Sequence, residues 1–464
     1  MAAVRRERDS IGEMDLPADA DYGIQTARAA ANFPITGILL RHYPELVQSL
    51  AMTKKAAALA NRAFGKLTPE TANAIISACD LLIAGDGLQH FIVDMLQGGA
   101  GTSTNMNANE VIANMALKLM GRQRGDYAVV NPNDHVNLSQ STNDVYPTAV
   151  RLTILRNCPE LIASQQALKE AFLQKAVEFD DVIKVGRTQL MDAVPMRLGS
   201  EFRAFAVMVG EDIDRLREFS NLLREVNLGG TAIGTGINTP DGYSAKVIHC
   251  LSDVSGVELA PAADLIEATS DLGAFITFSS VLKRIAVKLS KICNDLRLLN
   301  SGPRAGFGEI RLPAVQAGSS IMPGKVNPVI PEVINQIAYQ VIGNDLTVTF
   351  AAEAGQLQLN AMEPVIVLNI MQSMRMLTRG MAVLREKCIL GIEADRERCR
   401  ELLEGSLVTV TALNPYIGYA AAARVAKTAL DGRRSIRDVV LAEGLMTEAQ
   451  LTEAFSVEKL LGSR

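Results

Sequence analysis

The sequence predicts a mostly α-helical protein, and two observations carry this prediction. Aromatic residues make up 5% of the 464 residues and Trp is absent, whereas hydrophobic residues make up 48%. Such a composition suits helices packed through Ala, Leu, Val and Ile better than a β-sandwich. Between residues 145 and 390, apolar residues recur every three or four positions in long stretches with few helix breakers.

The length of the chain predicts several domains, because a single hydrophobic core stops growing near about 250 to 300 residues. Frequent Gly and Pro in residues 1–140 predict an N-terminal domain of shorter helices. Residues 141–390 predict an elongated helix bundle, and residues 391–464 a small helical C-terminal domain. Thr68 before Pro69 predicts a capped helix start in the first domain, and Thr447 with Gln450 predicts a capping box in the last.

Five long helices are predicted in the middle of the chain, at residues 145–180, 196–226, 261–300, 329–352 and 364–390. The third would extend roughly 55 Å, so it needs equally long partners. Apolar residues occur on more than one face of these helices. One bundle would leave part of this apolar surface uncovered, which favours a homo-oligomer. The alternative is a wider hydrophobic core within a monomer.

Charge and composition exclude several classes of protein. The formal net charge is −5 without a concentrated basic run, which argues against nucleic acid as the main partner. Residues 407–423 are uncharged, but they contain Asn414, Pro415 and Gly418 and predict no membrane span. Residues 1–10 have three arginines with no apolar stretch behind them, so no secretory signal is expected.

Cysteine and histidine usage predicts a reducing compartment, the cytoplasm, and no metal centre. The six cysteines are scattered without a CxxC pair, and the four histidines lack ligand spacing.

Residues 318–328 (GSSIMPGKVNP), here called the serine loop, form a polar segment between two long helical stretches. Two glycines and two prolines prevent regular structure, whereas the hydroxyls, the amide and the cation can hold an anion. A nucleotide-binding loop is excluded by spacing, because five residues separate Gly318 from Gly324 and Val326 follows the lysine.

Two further polar segments precede predicted helices. Residues 97–110 (QGGAGTSTNMNANE) place glycines and hydroxyls at a helix start, where backbone donors favour an anion. Ser141, Thr142 and Asn143 are three successive uncharged donors suited to a carboxylate whose negative charge grows during a reaction. A capped turn with Asp144 in the first helical turn is the structural alternative, and both roles are compatible.

The serine loop resembles the signature loop of the aspartase/fumarase superfamily, and residues 97–110, 184–195 and 351–366 resemble further segments of that family. The resemblance covers nearly the whole chain. It implies a three-domain lyase whose central five-helix bundle forms the core of a homotetramer, with each active site assembled from three chains.

The resemblance also implies roles for individual residues. Ser319 would be the base that removes a proton next to a substrate carboxylate. Thr188, Lys325 and Asn327 would hold the second carboxylate. The remaining site residues would stabilise the developing charge or face the leaving group: Thr102, Ser141, Thr142, Asn143, Gln189 and Ser320.

Gln189 departs from the commonest family pattern, in which histidine occupies this position. Glutamine cannot donate a proton near neutral pH, and expelling hydroxide needs an acid, whereas expelling ammonium does not. Gln189 therefore favours ammonia elimination. The segment around Glu363 favours it too, because it resembles the ammonia-eliminating members of the family, whereas the fumarases have a basic residue in place of Glu363. Glu363 itself is given no catalytic role.

The resemblance, with Gln189 in place of histidine, implies the reversible elimination of ammonia from L-aspartate to give fumarate. The alternatives are a fumarate hydratase, a non-catalytic structural relative and an anion-binding sensor. The chemistry requires no metal or organic cofactor, and the sequence does not decide whether a divalent metal such as Mg²⁺ activates the protein.

Overall fold

The computed structural model describes residues 3–461, so the first two and last three residues of the predicted terminal domains lie outside the described part. Helices dominate, which confirms the predicted mostly α fold. The α-helices are α1 (Ile24–Asn32), α2 (Pro44–Ala63), α3 (Pro69–Ala84), α4 (Thr102–Leu119), α5 (Thr142–Glu178), α6 (Leu198–Ser220), α7 (Tyr243–Ser255), α8 (Glu267–Ser270), α9 (Gly273–Leu299), α10 (Val329–Glu353), α11 (Glu363–Lys387), α12 (Arg396–Gly405), α13 (Asn414–Gly432), α14 (Ile436–Ala442), α15 (Glu448–Ala454) and α16 (Val457–Leu461).

The strands are short and form two-stranded pairs. Three pairs are antiparallel: β1 (Val4–Arg8) with β2 (Glu13–Pro17), β3 (Ile183–Thr188) with β4 (Met191–Arg197), and β7 (Ile310–Arg311) with β8 (Glu393–Ala394). The pair formed by β5 (Glu225–Val226) and β6 (Ala260–Pro261) is parallel.

The five long helices predicted from periodicity are present, with one marked difference in bounds. The third begins at Gly273, whereas periodicity placed its start at residue 261. Asp264 and Asp271 explain the difference, since their carboxylates accept main-chain N–H groups of Ile266 and Gly273 and favour turns there. Both predicted caps are confirmed: Thr68 accepts the N–H of Thr71, and Thr447 forms a capping box with Gln450.

The chain divides into two compact units. Unit 1 comprises Met1–Ile162, Asp214–Arg284 and Gln340–Met376. In it, α2 packs against α3 and α7, and α3 packs against α4. One face of α2 is fully buried and includes Leu46, Leu50 and Ala57. These residues are spaced by four and seven positions, as expected for one stripe of a helix.

Unit 2 comprises Ala163–Ile213, Ile285–Tyr339 and Leu377–Arg464. Phe172 of α5 packs edge to face against Phe205 of α6, and Phe179, the residue after α5, packs edge to face against Phe202 of α6. Helix α12 packs on β3, which supports the β3–β4 hairpin. The C-terminal helices bury a separate apolar cluster made of Leu413, Val425, Ala429, Ile436, Val439, Val440, Met446, Leu451 and Ala454. The predicted three-domain division remains a prediction.

Among residues 3–461, no helix combines the length and the apolar character needed to cross a membrane. The six cysteines, at positions 79, 158, 250, 293, 388 and 399, are buried free thiols.

Candidate active site

The serine loop belongs to unit 2 and links β7 to α10. It is closed at its base, where the N–H of Gly318 donates to the carbonyl of Lys325 at 2.8 Å and the side-chain amide of Asn327 donates to the carbonyl of Gly318 at 2.7 Å. A Cβ at position 318 would lie 2.7 Å from that same Lys325 carbonyl. Glycine is therefore required for the closure, and one of the two N–H donors of the Asn327 amide is used at the base of the loop.

Ser319 is half-buried, and its hydroxyl is an acceptor for the main chain. The Oγ accepts the N–H of Ile321 at 3.2 Å and the N–H of Met322 at 3.0 Å. A neutral serine hydroxyl is a poor base, and donors aimed at its oxygen stabilise negative charge that forms there. The loop thus supplies part of the environment that the predicted base requires.

Ser320 and Lys325 project from the same loop and are exposed. Lys325 makes no ion pair with any residue in the range 3–461. A flexible cation without a carboxylate partner is suited to pairing with an anionic ligand. The structure thus places Ser319, Ser320, Lys325 and Asn327 together on one loop.

Thr188 and Gln189 lie at the tip of the β3–β4 hairpin, also in unit 2. Gln189 and Leu190 form its two-residue turn, with φ of 54° and 63°. Two positive φ angles match the twist that tight hairpins favour, although neither residue is Gly or Asn. Thr188 and Gln189 are exposed. In the described chain, no hydrogen bond joins them directly to the serine loop.

Thr102 is the first residue of α4 in unit 1, and it is exposed. The preceding Gly101 has φ of 87°, and a Cβ there would lie 2.5 Å from the ring of Tyr146. The positive φ and the contact with Tyr146 both require glycine at this position. Gly101 therefore allows the start of α4 to lie against α5.

Ser141, Thr142 and Asn143 lie at the start of α5, close to the start of α4. The side-chain amide of Asn105, in the first turn of α4, donates to the Oγ1 of Thr142 at 3.0 Å. The Ser141 Oγ accepts the N–H of Asn143 at 3.2 Å, and the Asn143 amide donates to the Ala232 carbonyl at 2.7 Å. Within unit 1, the structure thus brings the starts of two helices and their predicted site residues together.

Asp144 fixes this helix start and is fully buried. Its carboxylate accepts the N–H groups of Ser141, Gly229 and Thr231 at 2.9 to 3.0 Å. Burial raises the pKa of Asp144 to about 6, although the three N–H donors act in the opposite direction. The capped turn that was the structural alternative for this segment is therefore present alongside the predicted donors.

Sequence reasoning missed Lys54, a fully buried residue on the apolar face of α2. Its ammonium donates to the Oδ1 of Asn137 at 2.9 Å, and the same oxygen accepts the amides of Asn105 and Asn109 at 3.1 and 3.2 Å. Burial lowers the pKa of Lys54 to about 7, while the charge of Asp144 raises it. The sequence could have revealed Lys54, because it lies four residues after Leu50 and three before Ala57, a spacing that places it on the buried face of α2.

A cavity of about 410 Å³ lies in unit 1 beside the start of α5. Of the predicted site residues, it is lined by Ser141, together with parts of residues 133–140 and 231–238. In the part of the chain that the structure describes, no three His, Cys, Asp or Glu side chains form a group that could hold a metal ion.

Two family models match this chain. One, described as "Lyase", matches residues 12–343, and the other, described as "Fumarase C C-terminus", matches residues 409–462. A curated protein from Pseudomonas fluorescens named aspartate ammonia-lyase is 59% identical over 464 residues, which cover 100% of this chain and 97% of that protein.

Solved structures give the same result for the fold. One described as a fumarate lyase:delta crystallin from Brucella melitensis bound to cobalt has 58% identity and a TM-score of 0.95, covering 97% of this chain and 98% of that chain. A class II fumarase from Schistosoma mansoni has 33% identity and a TM-score of 0.93, covering 98% of both chains. The chain therefore belongs to the lyase family of these models, the aspartase/fumarase superfamily that the serine loop predicted.

Proposed function

We propose that this chain is an aspartate ammonia-lyase, which reversibly eliminates ammonia from L-aspartate to give fumarate. The observation that carries the proposal is the geometry of Ser319, whose Oγ receives two main-chain N–H groups inside a loop rich in anion-binding groups. The name of the Pseudomonas fluorescens relative, at 59% identity, supports the choice of substrate.

The first step is removal of a proton from the carbon next to the β-carboxylate of aspartate. Ser319 first loses its own proton to solvent, and its alkoxide, stabilised by the N–H groups of Ile321 and Met322, accepts the substrate proton. The electron pair spreads into the β-carboxylate to give a dianionic intermediate. Hydroxyl donors that strengthen as this charge grows lower the barrier. We assign this stabilisation to Thr102, Ser141, Thr142 and Ser320.

In the second step the intermediate collapses, the bond between carbon and nitrogen breaks, and fumarate forms. Thr188, Lys325 and Asn327 hold the α-carboxylate, and Asn143 and Gln189 face the amino group. The amino group leaves in its protonated –NH3+ form, takes the electron pair of the broken bond and departs as neutral NH3 with its three protons, so the step needs no acid from Gln189. The chemistry as written requires no metal or organic cofactor.

A fumarate hydratase is the second candidate, because the Schistosoma mansoni fumarase shares the fold at 33% identity. The two functions separate in one experiment. The purified protein is incubated with L-aspartate or with L-malate, and the ultraviolet absorbance of fumarate is followed. Turnover of aspartate supports the proposal. Turnover of malate alone would replace it with the hydratase, and no turnover of either would favour a structural relative.

The protein also assembles, in our proposal, as a homotetramer with shared active sites. Ile342, Leu346 and Phe350 lie four residues apart on α10 and are 37%, 56% and 66% exposed. This spacing places them on one helical face, and such an apolar stripe is suited to burial against another copy. The free thiols of all six cysteines support a reducing cytoplasm as the working compartment.

The assembly is tested by light scattering on a size-exclusion column. Leu346→Glu should produce smaller species, because it places a charge in the apolar stripe. Leu430→Glu is the matched control, since Leu430 is 65% exposed on α13, outside the stripe. A wild-type monomer, or a Leu346→Glu protein of unchanged mass, would contradict the assignment.

A further inference from the structure

Glu309 in unit 2 is a completely buried carboxylate with two cationic partners on one strand. Its Oε1 pairs with the guanidinium of Arg187 at 2.8 Å, and its Oε2 pairs with the ammonium of Lys184 at 2.9 Å. Glu309 is 0% exposed, and the side chains of Lys184 and Arg187 are 3% and 11% exposed. A buried carboxylate with two such partners is held firmly in place.

The pairing of β3 with β4 is irregular between Lys184 and Arg187, which both reach the carboxylate of Glu309. Residues three apart in a regular strand point to opposite faces. Val185 pairs with Pro195 and Arg187 pairs with Asp192, so β4 has one residue more than β3 here, as in a β-bulge, which increases the local twist. Gly186 occupies this point, and a Cβ there would lie 2.7 Å from the Val194 carbonyl.

Arg187 is fixed from a second side as well. Its guanidinium lies over the ring of Phe307, 4.2 Å from the centroid, in a cation–π contact. Thr188 follows directly and ends β3. Because Arg187 is held on two sides and Thr188 is the next residue, the contacts of Arg187 restrict the position of Thr188. The proposed function places Thr188 on the α-carboxylate of the substrate.

Glu309 also begins the segment that leads to the serine loop. Its carbonyl accepts the N–H of Asp395 at 2.9 Å, and β7 follows at Ile310. The N–H of Leu312 then donates to the Asn300 side chain at 3.0 Å. The backbone is thus anchored from residue 309 to residue 312, seven residues before Ser319.

The charges of this cluster balance. Glu201 adds a second carboxylate to Lys184, at 2.8 Å, so that two cations face two anions. Burial lowers the pKa of Lys184, but the ion pairs with Glu201 and Glu309 outweigh burial and raise it. Lys184 therefore stays charged. Of the two carboxylates that pair with Lys184 in residues 3–461, Glu309 also pairs with Arg187, whereas Glu201 does not.

We propose that Glu309 is a positioning residue of the active site: through Arg187 it holds Thr188 in the orientation that binds the substrate carboxylate. This inference rests on the proposed function. It assigns Glu309 no contact with the substrate.

The test uses Glu309→Gln, which keeps the size of the side chain and removes its charge. We expect kcat/KM for aspartate to fall at least a hundredfold, and the Kd of the unreactive dicarboxylate succinate to rise at least tenfold. Glu201→Gln is the matched control, because it takes a carboxylate from the same lysine without touching Arg187. It should change both quantities less than fivefold.

A double-mutant cycle separates positioning from a general structural role. In a Thr188→Val background, Glu309→Gln should reduce kcat/KM less than threefold further, because the group that it positions is already gone. A purely structural role would give the same hundredfold loss in both backgrounds. That result, or an equal effect of Glu201→Gln, would overturn the proposal.

If Glu309→Gln does not fold, the pair Lys184→Gln/Glu309→Gln restores the balance of buried charge. It is then compared with Lys184→Gln alone, and the same hundredfold difference is expected. If kcat/KM of the double variant equals that of Lys184→Gln alone, the inference is overturned. Failure of the wild-type protein to convert aspartate would instead contradict the proposed function.

Discussion

The hydroxyl oxygen of Ser319 accepts the main-chain N–H of Met322 at 3.0 Å, three residues further along the same loop. This contact ties the predicted base to the shape of the loop, because the donor is presented by the backbone. Chemistry at Ser319 therefore depends on the conformation of the serine loop as well as on the residue type.

Ser319→Ala should abolish turnover and leave folding intact. The variant removes the proton acceptor, so we expect kcat to fall by at least ~10³-fold, as for other catalytic nucleophiles and bases. Ser319 is half-buried and residues 320–326 of the loop are exposed, so the melting temperature should change little. Fumarate absorbance and thermal unfolding measure the two quantities. Ser320→Ala, a neighbouring hydroxyl, should lose less activity, and near-normal turnover by Ser319→Ala would reject the base assignment.

The serine loop should become ordered when substrate binds. Ile321 is 83% exposed, and Gly324 has φ of 79°, so the tip has few contacts to lose on closing. Hydrogen exchange followed by mass spectrometry, with and without succinate, should show slower exchange across residues 316–330. Equal rates in the two states would count against closure.

Gly101→Ala should destabilise the protein more than Gly121→Ala. Both glycines have positive φ, 87° and 71°, so each substitution introduces backbone strain of about 1–2 kcal/mol. Only the Gly101 variant also drives a Cβ into Tyr146, at 2.5 Å, while position 121 is open. Overpacking adds about 1–3 kcal/mol. Urea unfolding measures the difference, and equal losses would show that the Tyr146 contact relaxes freely.

Lys54→Met should remove part of the pH dependence of stability. The folded pKa of Lys54 is about 7, below the value of about 10.4 expected for the unfolded chain. Between these values the unfolded chain binds the extra proton, so the free energy of unfolding of the wild type rises with pH, by up to about 1.4 kcal/mol per pH unit.

The measurement compares wild type and variant by urea unfolding at pH 7, 8 and 9 and one protein concentration. The free energy of unfolding of the wild type, minus that of Lys54→Met, should increase with pH over this range. Lys55→Met is the control, because Lys55 pairs with Asp80 at the surface. The difference in free energy of unfolding between wild type and Lys55→Met should vary by less than ~0.5 kcal/mol from pH 7 to pH 9. A difference between wild type and Lys54→Met that stays constant would show that Lys54 does not titrate there.

Local sequence patterns predicted the long helices and both caps, because these depend on residues within one or two turns. The cap at Thr68 needs only Pro69 and Thr71, and the capping box needs only Thr447 and Gln450. The late start of α9 was missed, since Asp271 stops an otherwise periodic stretch. The β3–β4 hairpin was missed because its turn, Gln189 and Leu190, carries no Gly or Asn signal.

The sequence by itself determined which groups the protein brings to its chemistry: the serine loop, the polar helix starts, and Gln189 in place of an acid. Only the tertiary structure decided which distant groups hold them. Arg187 and Glu309 are 122 residues apart in the chain, and Lys54 and Asn137 are 83 apart. Residue type and spacing predict interactions along one helix or turn, whereas contacts such as these exist only once burial brings remote segments together.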